Sequence, residues 1–260
     1  MLANDPDRDW ERWGKTDPYF GVLTDPKFLD KNLNDDSFKD FFASGEQHVE
    51  HVYKTIRSRI RPGFQSLRVL DYGCGVGRLV VPFATRSQEV VGVDVSPSML
   101  AKARENCKRL GAESVSLLHA HDLDSLAPAT FDLVHSHIVF QHIPIARGEL
   151  ILRKLISLIS EGGVGAIHLT YGDSRSALRR GLSALRRRVS LAHGLMNLVQ
   201  RRRFSTPLMQ MNCYSMNRIF DLLIDMHCSN VHVEFWEYRS FRGAMLYFER
   251  SQRLFSSGLP

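Results

Sequence analysis

The chain has 260 residues, of which 43% are hydrophobic and 24% charged, and this balance predicts a globular protein with a sizeable core. No run of about 18 apolar residues occurs, and the start MLANDPDRDWERW is acidic where a secretory signal is basic and then apolar, so we expect a cytoplasmic protein. The four cysteines include no CxxC pair, which argues against a zinc site and against a disulfide framework.

The net charge of +6 is concentrated in one segment, since residues 171–203 hold nine arginines and a single acidic residue. A local patch is not a nucleic-acid signature of the whole chain. Two runs of arginines admit three interpretations: a solvated helix face, a surface for an anionic acceptor, or a contact with a membrane surface. The runs are Arg186, Arg187, Arg188, Arg201, Arg202 and Arg203.

The first 62 residues are expected to form an arm and a helix that cover the active site. Residues 1–35 are rich in Asp, Asn and Pro but carry several aromatics, which predicts an irregular arm that docks through them. Apolar residues at three- and four-residue spacings then predict a helix over 35–60, which Gly45 is expected to divide.

Residues 63–260 show short β-branched runs that alternate with helical stretches, a pattern typical of a parallel sheet covered on both faces. The last two runs are joined too closely for a crossover helix and should pair antiparallel. We therefore predict an α/β fold: a Rossmann-like, seven-stranded, mostly parallel sheet with an antiparallel last strand. A basic helical insert with an apolar stripe is expected at about 172–212, after the fifth strand.

The stretch VLDYGCGVGRL places Asp71 before Gly73, Gly75 and Gly77, the general form of a nucleotide-binding turn between a strand and a helix. A dinucleotide site has G-x-G-x-x-G around a pyrophosphate, whereas here a carboxylate would repel phosphate and suits a cationic group. Asp94 ends the second strand, where a carboxylate accepts both ribose hydroxyls. The expected ligand therefore carries a free ribose and an amine.

These motifs, together with HDL at 121–123 and FDLVHSHIVFQHIP in the fourth strand, resemble the class I S-adenosylmethionine-dependent methyltransferases. The resemblance spans residues 65–172 and implies S-adenosylmethionine as the cofactor. It places the methionine part against the glycine loop and Asp71, the ribose on Asp94, and the adenine near Asp122. The predicted cofactor-binding residues are Asp71, Gly73, Cys74, Gly75, Gly77, Asp94, Val95, Met99, His121, Asp122, Leu123 and Ser136.

Six of the eleven histidines lie between positions 119 and 168, but the pairs at 119/121 and 135/137 should lie on opposite sides of the first two strands, so we predict no metal site. Residues that follow the fourth and fifth strands are expected to face the transferred methyl. His168 is similar in context to a histidine of the cyclopropane-synthase branch, although a buried structural role is equally compatible. The predicted catalytic residues are His168, His142, Gln141 and Tyr171.

The acceptor is predicted to contact aromatics of the arm, His137 after the fourth strand and polar residues of the insert. For the aromatics, anchoring of the arm to the core is the alternative. The predicted acceptor-binding residues are Trp13, Tyr19, Phe20, His137, Asn212 and Tyr214. We expect methyl transfer to a small molecule, at a hydroxyl of a sugar, a glycan-pathway intermediate or a secondary metabolite. The expected partner is a small-molecule acceptor of anionic character, and the protein is expected to be a monomer or a homodimer. The alternatives are a nucleic-acid methyltransferase, which lacks support from an NPPY-type motif, and a non-catalytic protein that uses the basic helix for binding.

Overall fold

The computed structural model describes residues 5–176, 178, 181–182, 190–199 and 206–251. Its centre is a sheet of seven strands, with these bounds: β1 Arg68–Tyr72, β2 Glu89–Asp94, β3 Val115–His119, β4 Phe131–Ser136, β5 Ile159–Asp173, β6 Cys228–Tyr238 and β7 Phe241–Arg250. The order across the sheet is β3-β2-β1-β4-β5-β7-β6. The first five strands pair in parallel, and β7 runs antiparallel to both β5 and β6. The predicted seven-stranded sheet and its antiparallel last strand are confirmed.

Eight α-helices flank this sheet within the described ranges: α1 Pro6–Thr16, α2 Pro18–Val22, α3 Asp35–Thr55, α4 Val80–Ala84, α5 Pro97–Arg109, α6 Ile145–Leu158, α7 Ser190–Val199 and α8 Met216–Asp225. One apolar cluster joins the sheet to α6 and α8, and another joins it to α3, α4 and α5. The sheet is thus covered on both faces, as its near-continuous apolar strands require.

The arm is helical where the sequence predicted an irregular segment. Helix α1 begins with proline after Asp5, whose carboxylate accepts from the N–H of Asp7, and α2 also begins with proline. Proline at the first helical position needs no N–H partner and fixes φ near its helical value. The high content of Asp and Pro therefore marks helix starts here, and the prediction of an irregular arm was wrong.

Gly45 does not divide α3, which runs unbroken from residue 35 to residue 55 and continues into a π-helical turn at Ile56–Ile60. A Cβ atom at Gly45 would overlap the carbonyl oxygen of Arg78. The glycine thus permits close approach of α3 to the glycine loop, and the prediction of a break was wrong. A capping box between Asn34 and Ser37 sets the start of the helix.

Only part of the predicted insert belongs to the described residues, chiefly α7 and the extended stretch from 206 to 212. Helix α7 leaves Leu195, Leu198 and Val199 exposed and buries His193 and Asn197. Both of these polar side chains contact the carbonyl oxygen of Thr206. Among the described residues, no helix combines the length and the apolar character needed to cross a membrane.

Candidate functional site

A cavity of about 1260 Å³ lies beyond the carboxyl ends of the strands, where ligands bind in open α/β sheets. The glycine-loop end of the cavity is formed by Asp71, Gly73, Gly75, Asp94 and Met99. The hairpin end is formed by His137 together with residues of the β6–β7 hairpin, Trp236, Tyr238 and Gly243. Side chains of α1 and α2 also line the cavity, so the arm forms one of its walls.

The glycine loop is held by backbone hydrogen bonds to β2. The N–H groups of Gly73 and Cys74 both donate to the carbonyl oxygen of Val93, at 2.7 and 3.0 Å. Gly73 has φ +78°, and a Cβ atom there would overlap the side chain of Val139. At Gly75, with φ +53°, a Cβ atom would lie 2.6 Å from Val22 of α2. These positions require glycine both for the left-handed backbone and for close approach.

Asp94 closes the glycine-loop end through two backbone hydrogen bonds. Its Oδ2 accepts from the N–H of Gly75 at 2.9 Å and its Oδ1 accepts from the N–H of Ser96 at 2.8 Å. Burial raises the pKa of Asp94 to about 6, against the lowering effect of these bonds. A carboxylate has about four acceptor sites and Asp94 borders the cavity, so it keeps capacity to accept from hydroxyl groups.

Asp71 belongs to a chain of buried side chains that runs away from the cavity. Its Oδ1 accepts from Nδ1–H of His135 at 2.7 Å. Nε2 of His135 lies 3.0 Å from Nε2 of His48 on α3. Burial lowers the pKa of His48 well below its ordinary value, so that ring is neutral, and one of the two Nε2 atoms donates to the other. The chain fixes the orientation of the Asp71 carboxylate.

His137 and Arg78 lie where the two ends of the cavity meet. The ring of His137 stacks on His48 with centroids 4.0 Å apart, and burial lowers its pKa well below the ordinary value. Arg78 is 4% exposed, and among the described residues it makes two long contacts, to Nδ1 of His137 and to Oγ of Ser44, each at 3.4 Å. Its Nε has no hydrogen-bond partner in the described part of the chain, and burial lowers the pKa of Arg78 to about 10.

His142 and Gln141 are tied into a hydrogen-bond network beside α1. Nδ1–H of His142 donates to the carbonyl oxygen of Gln210 at 2.7 Å, so its Nε2 must accept, and Nε2 of Gln141 supplies the donor at 3.1 Å. Oε1 of Gln141 accepts from the hydroxyl of Thr170 at 3.0 Å. Burial lowers the pKa of His142 to about 4. Both residues border the cavity, but the lone pair of His142 is already used.

His168 is fully buried, and neither of its ring nitrogens has a partner among the described residues. Burial lowers its pKa to about 3. It lies between the rings of His137 and Trp236, at centroid distances of 5.5 and 4.8 Å. A Cβ atom at Gly243, which lines the cavity, would lie 2.5 Å from Nε2 of His168. His168 is thus just behind the cavity wall and faces it through a glycine.

Five of the predicted cofactor residues do not border the cavity. His121 and Asp122 are exposed in the 3₁₀ turn Ala120–Ser125, and Leu123 is buried in the core. Ser136 is fully buried and donates to the carbonyl oxygen of Tyr72 at 2.9 Å. Gly77, with φ +92°, also lies outside the lining, whereas Cys74 and Val95 belong to it. The adenine-side assignment stays a prediction.

Of the predicted acceptor residues, Trp13, Phe20 and His137 line the cavity, and three others serve the scaffold. The hydroxyl of Tyr19 donates to Asn106 at 2.8 Å and anchors the arm to α5. The side-chain amide of Asn212 donates to the carbonyl oxygen of Gln141, at 3.1 Å. The hydroxyl of Tyr214 lies against the carbonyl oxygens of Phe140 and Ile143. Tyr171, predicted to be catalytic, packs toward Phe235 and does not line the cavity.

The fold brings to this site several residues for which no sequence pattern predicted a functional role: His48, Arg78, Trp10, Trp236 and the pair Asp7–Arg147. Trp10 meets His142 edge to face at 4.8 Å. Arg78 directly follows the glycine loop, and that position was the one sequence signal available. The others come from distant segments. The arginines at 186–188 and 201–203 lie outside the described residues.

The site holds histidines of several elements, yet within the ranges described no three His, Cys, Asp or Glu side chains are placed to bind one metal ion. His119 ends β3 and His121 follows it, while His135 lies in β4 and His137 follows it, so the two pairs are separated by β2 and β1, as predicted. Nε2 of His119 contacts the carbonyl oxygen of Val95 at 3.0 Å. That contact fixes the turn beside Asp94.

The strand order and the glycine-rich turn after β1 define a Rossmann-like protein of the class I methyltransferase type. A family model for a methyltransferase domain matches residues 69–163, the segment from β1 into β5. Over residues 69–163 the chain matches this methyltransferase-domain family, and solved S-adenosylmethionine-dependent methyltransferases share its fold. The resemblance inferred from Asp71, the three glycines and Asp94 is confirmed at the level of the family.

Two curated relatives act on RNA by name. The chain is 32% identical over 90 residues to a 23S rRNA (uracil-C(5))-methyltransferase from Paracidovorax citrulli. The aligned segment covers 35% of this chain and 17% of that protein. It is 27% identical over 169 residues to the tRNA 5-carboxymethoxyuridine methyltransferase of Escherichia coli, covering 58% of this chain and 62% of that protein. The chain therefore matches less than two thirds of the length of either relative.

Solved structures share the fold over nearly the whole chain. Magnesium protoporphyrin IX methyltransferase from Synechocystis with bound S-adenosylmethionine aligns with a TM-score of 0.61 at 18% identity, covering 96% of this chain and 100% of that one. The N-methyltransferase NodS from Bradyrhizobium japonicum with S-adenosylhomocysteine aligns at 0.58 and 13% identity, covering 95% and 99%.

The cofactor of this class is S-adenosylmethionine, and the residues of the glycine-loop end fit it. The Asp94 carboxylate has acceptor capacity for two hydroxyls, and Asp71 offers negative charge toward an ammonium or sulfonium. The close-packed glycines bring backbone to the cavity wall, and Met99 adds an apolar surface.

Proposed function

We propose that the protein transfers a methyl group from S-adenosylmethionine to an oxygen of a small-molecule acceptor bound at the hairpin end of the cavity. The observation that carries this proposal is the continuity of the cavity from Asp94 to Gly243. Its volume of about 1260 Å³ exceeds the roughly 300–1,000 Å³ of a pocket for one drug-sized ligand, so cofactor and acceptor fit side by side.

The cofactor, when bound, supplies a methyl group on a sulfonium with its own leaving group. The chain's own residues then have to orient the acceptor, exclude water and accept a proton where one is released. Positioning of two reactants contributes on the order of 7–11 kcal/mol to such reactions. The arm supports this role, because Trp13 and Phe20 line the cavity and Val22 packs on Gly75.

The pKa values of the histidines bear on the kind of oxygen. A general base works best when its pKa lies near the operating pH. The pKa values of His142 and His168 are lowered to about 4 and 3, and those of His48 and His137 are lowered well below the ordinary value. We therefore propose an acidic oxygen, such as a carboxylate or an acidic hydroxyl, in place of the alcohol hydroxyl expected from the sequence.

The test combines binding with turnover. Calorimetry should show binding of S-adenosylhomocysteine by the wild-type protein, and incubation with labelled S-adenosylmethionine and a metabolite extract should yield a small product that has gained one methyl group. Binding without label in any product would support the non-catalytic alternative. Absence of binding would overturn the proposal.

A second candidate function is methylation of RNA, which the names of the two curated relatives favour. A nucleotide would have to be turned out of its strand to enter a cavity that the arm covers. Mass spectrometry of nucleosides from RNA treated with the protein distinguishes the two functions. A labelled nucleoside, together with RNA binding that weakens steeply with salt, would favour RNA.

A further inference from the structure

The charged side chains around the cavity are nearly all paired, with one buried exception. Lys27 pairs with Asp40 at 2.8 Å, and Arg147 pairs with Asp7 at 2.7 Å. Asp71 and Asp94 accept the hydrogen bonds already described. Among the described residues, Arg78 has no carboxylate within 4.0 Å, and Asp71 acts on it only at longer range. Among the described residues that line the cavity, Arg239 also has no carboxylate within 4.0 Å, but it is exposed and stacks on Tyr238, so Arg78 is the buried cation without a counter-charge.

An unpaired buried charge is costly, and proteins normally pair it or hydrogen-bond it fully. Arg78 is 4% exposed, its Nε has no partner among the residues that the structure describes, and its two contacts to neutral groups are long. Because it borders the cavity, an anion bound there would supply the missing acceptors. A guanidinium presents several donors in one plane, which matches the oxygens of a carboxylate or a phosphate.

Position favours the acceptor over the cofactor as the source of that anion. Arg78 contacts His137, which follows β4, and Ser44 on α3, whereas Asp94 and Met99 lie on the far side of β1. The ring of His137 contacts His168 on β5, and His168 in turn contacts Trp236 on β6. Both His168 and Trp236 lie beside Gly243 at the hairpin end. Arg78 therefore faces the part of the cavity that remains beyond the glycine-loop end.

We propose that Arg78 binds an anionic group of the acceptor, a carboxylate or a phosphate, and that the substrate class is small organic anions. This inference rests on the proposed function and narrows its substrate. Ser44 and His137 orient the guanidinium, and neutral His137 adds no competing charge. Paired Lys27 and Arg147 do not offer an equivalent site.

The experiment separates a metabolite extract by anion exchange before incubation with the protein and labelled S-adenosylmethionine. The label should enter molecules of the retained fraction. Phosphatase treatment of that fraction then distinguishes phosphates, which lose their acceptor activity, from carboxylates, which keep it. Label confined to neutral or cationic molecules of the flow-through would overturn the inference while leaving the proposed function intact.

Arg78→Gln should raise the KM for the labelled acceptor roughly 10- to 100-fold, the range for loss of a hydrogen bond between charged groups, with a smaller change in kcat. Arg86→Gln is the control, since Arg86 pairs with Glu46 and Glu50 on the surface beyond α4. Arg78→Lys keeps the charge without the planar fork and should show an intermediate KM, which keeps the test valid if Arg78→Gln does not fold.

Binding of S-adenosylhomocysteine and of methylthioadenosine, which lacks the amino-acid part, identifies the source of the anion. In Arg78→Gln both dissociation constants should stay within about threefold of wild type, a change of under 1 kcal/mol by RT ln 3. A tenfold or larger loss for S-adenosylhomocysteine alone would assign Arg78 to the cofactor's carboxylate and overturn the inference. If the wild-type protein binds neither of these ligands, the proposed function is overturned and this inference with it.

Discussion

The two ends of the cavity differ in how their polar groups are satisfied. At the glycine-loop end, backbone N–H groups hold the loop on β2 and fill one lone pair of each Asp94 oxygen. From the point where the two ends meet to the hairpin end, Nε of Arg78 and both ring nitrogens of His168 have no partner in the described structure. The first end is built by local backbone geometry. The second is left with polar atoms that a ligand can use, so specificity is expected to reside there.

The strongest test of the glycine-loop end is Gly73→Ala. Its positive φ costs a residue with a Cβ about 1–2 kcal/mol, and here the Cβ would also overlap Val139. We expect a loss of stability larger than that strain and loss of cofactor binding, measured by denaturant unfolding and calorimetry. Gly63→Ala is the matched control, because Gly63 has φ +73° with nothing within 4 Å of the added atom. Equal effects at both positions would show that close packing of the loop is unimportant.

Asp94→Asn should come next in size. An amide has one oxygen only, so it cannot accept from Gly75 and Ser96 together and still bind hydroxyls. We expect affinity for S-adenosylhomocysteine to fall roughly 10- to 100-fold at pH 8, from loss of hydrogen bonds to a charged group. Unchanged affinity would remove Asp94 from the cofactor site.

The same residue predicts a pH dependence. Burial raises the pKa of Asp94 from 3.8 to about 6, so the folded apo protein holds its proton more tightly than the unfolded chain. This group's contribution to stability is present below the unfolded value and is lost as the pH rises through about 6. Cofactor binding needs the ionised form, so affinity should be about tenfold weaker at pH 5 than at pH 8.

The control for this pH effect is Asp9→Asn. Burial also raises the pKa of Asp9, in α1, to about 6, but Asp9 does not line the cavity. Calorimetry should show the pH dependence retained in Asp9→Asn and absent in Asp94→Asn. The reverse pattern would show that the pH dependence of cofactor binding arises from titration of Asp9 and the docking of the arm.

A smaller effect is expected at the hairpin end for His168→Gln. With a pKa of about 3, His168 is neutral throughout the working range and is poorly matched to proton abstraction. We expect kcat/KM to change less than tenfold and its pH profile to keep its shape, with exposed His51→Gln as the control. Removal of a general base costs about 100- to 10,000-fold, so a loss of that size would restore the catalytic role predicted from the sequence.

The smallest effect is expected where the arm docks. Glu11 of α1 accepts from Oγ of Ser96 and from N–H and Oγ of Ser98 at the start of α5. Partial burial alone would raise the pKa of Glu11, but these hydrogen bonds lower it to about 2. The contribution of Glu11 to folding stability is therefore present above about pH 4.5 and is lost only as the pH falls through about 2. Glu11→Gln should make the arm a few-fold more susceptible to limited proteolysis near neutral pH. Lys15→Gln, which removes only a surface pair to Glu11, should not.

Sequence patterns were sufficient for the sheet and for most of the glycine-loop end. Strand periodicity predicted seven strands, and Asp71, Gly73, Gly75 and Asp94 all border the cavity. These features depend on neighbours in sequence: a glycine needed for a positive φ, or a carboxylate at a strand end. The adenine-side residues 121–123 were placed by family resemblance, and this part of the prediction remains open.

The contacts that join distant segments around the site could not be predicted in the same way. His48 and His135 lie 87 positions apart in the chain, and Arg78 and His137 lie 59 apart, so no local pattern joins them. The pKa values of the histidines also depend on burial that only packing of α3 against the sheet creates. Asn212 and Tyr214 were predicted to bind the acceptor, but their side chains donate hydrogen bonds to backbone carbonyls of the loop at 140–143.

The sequence by itself determined the order of strands and helices, the turn that only glycine can make, and the acidic residue at the end of each of the first two strands. Each follows from backbone conformation or from periodicity, which act over a few residues. The tertiary structure decided which histidines lose their basicity, which tyrosines are anchors, and that one guanidinium is buried without a counter-charge. Those properties depend on solvent exclusion and on contacts between distant segments, which exist only once the chain has folded.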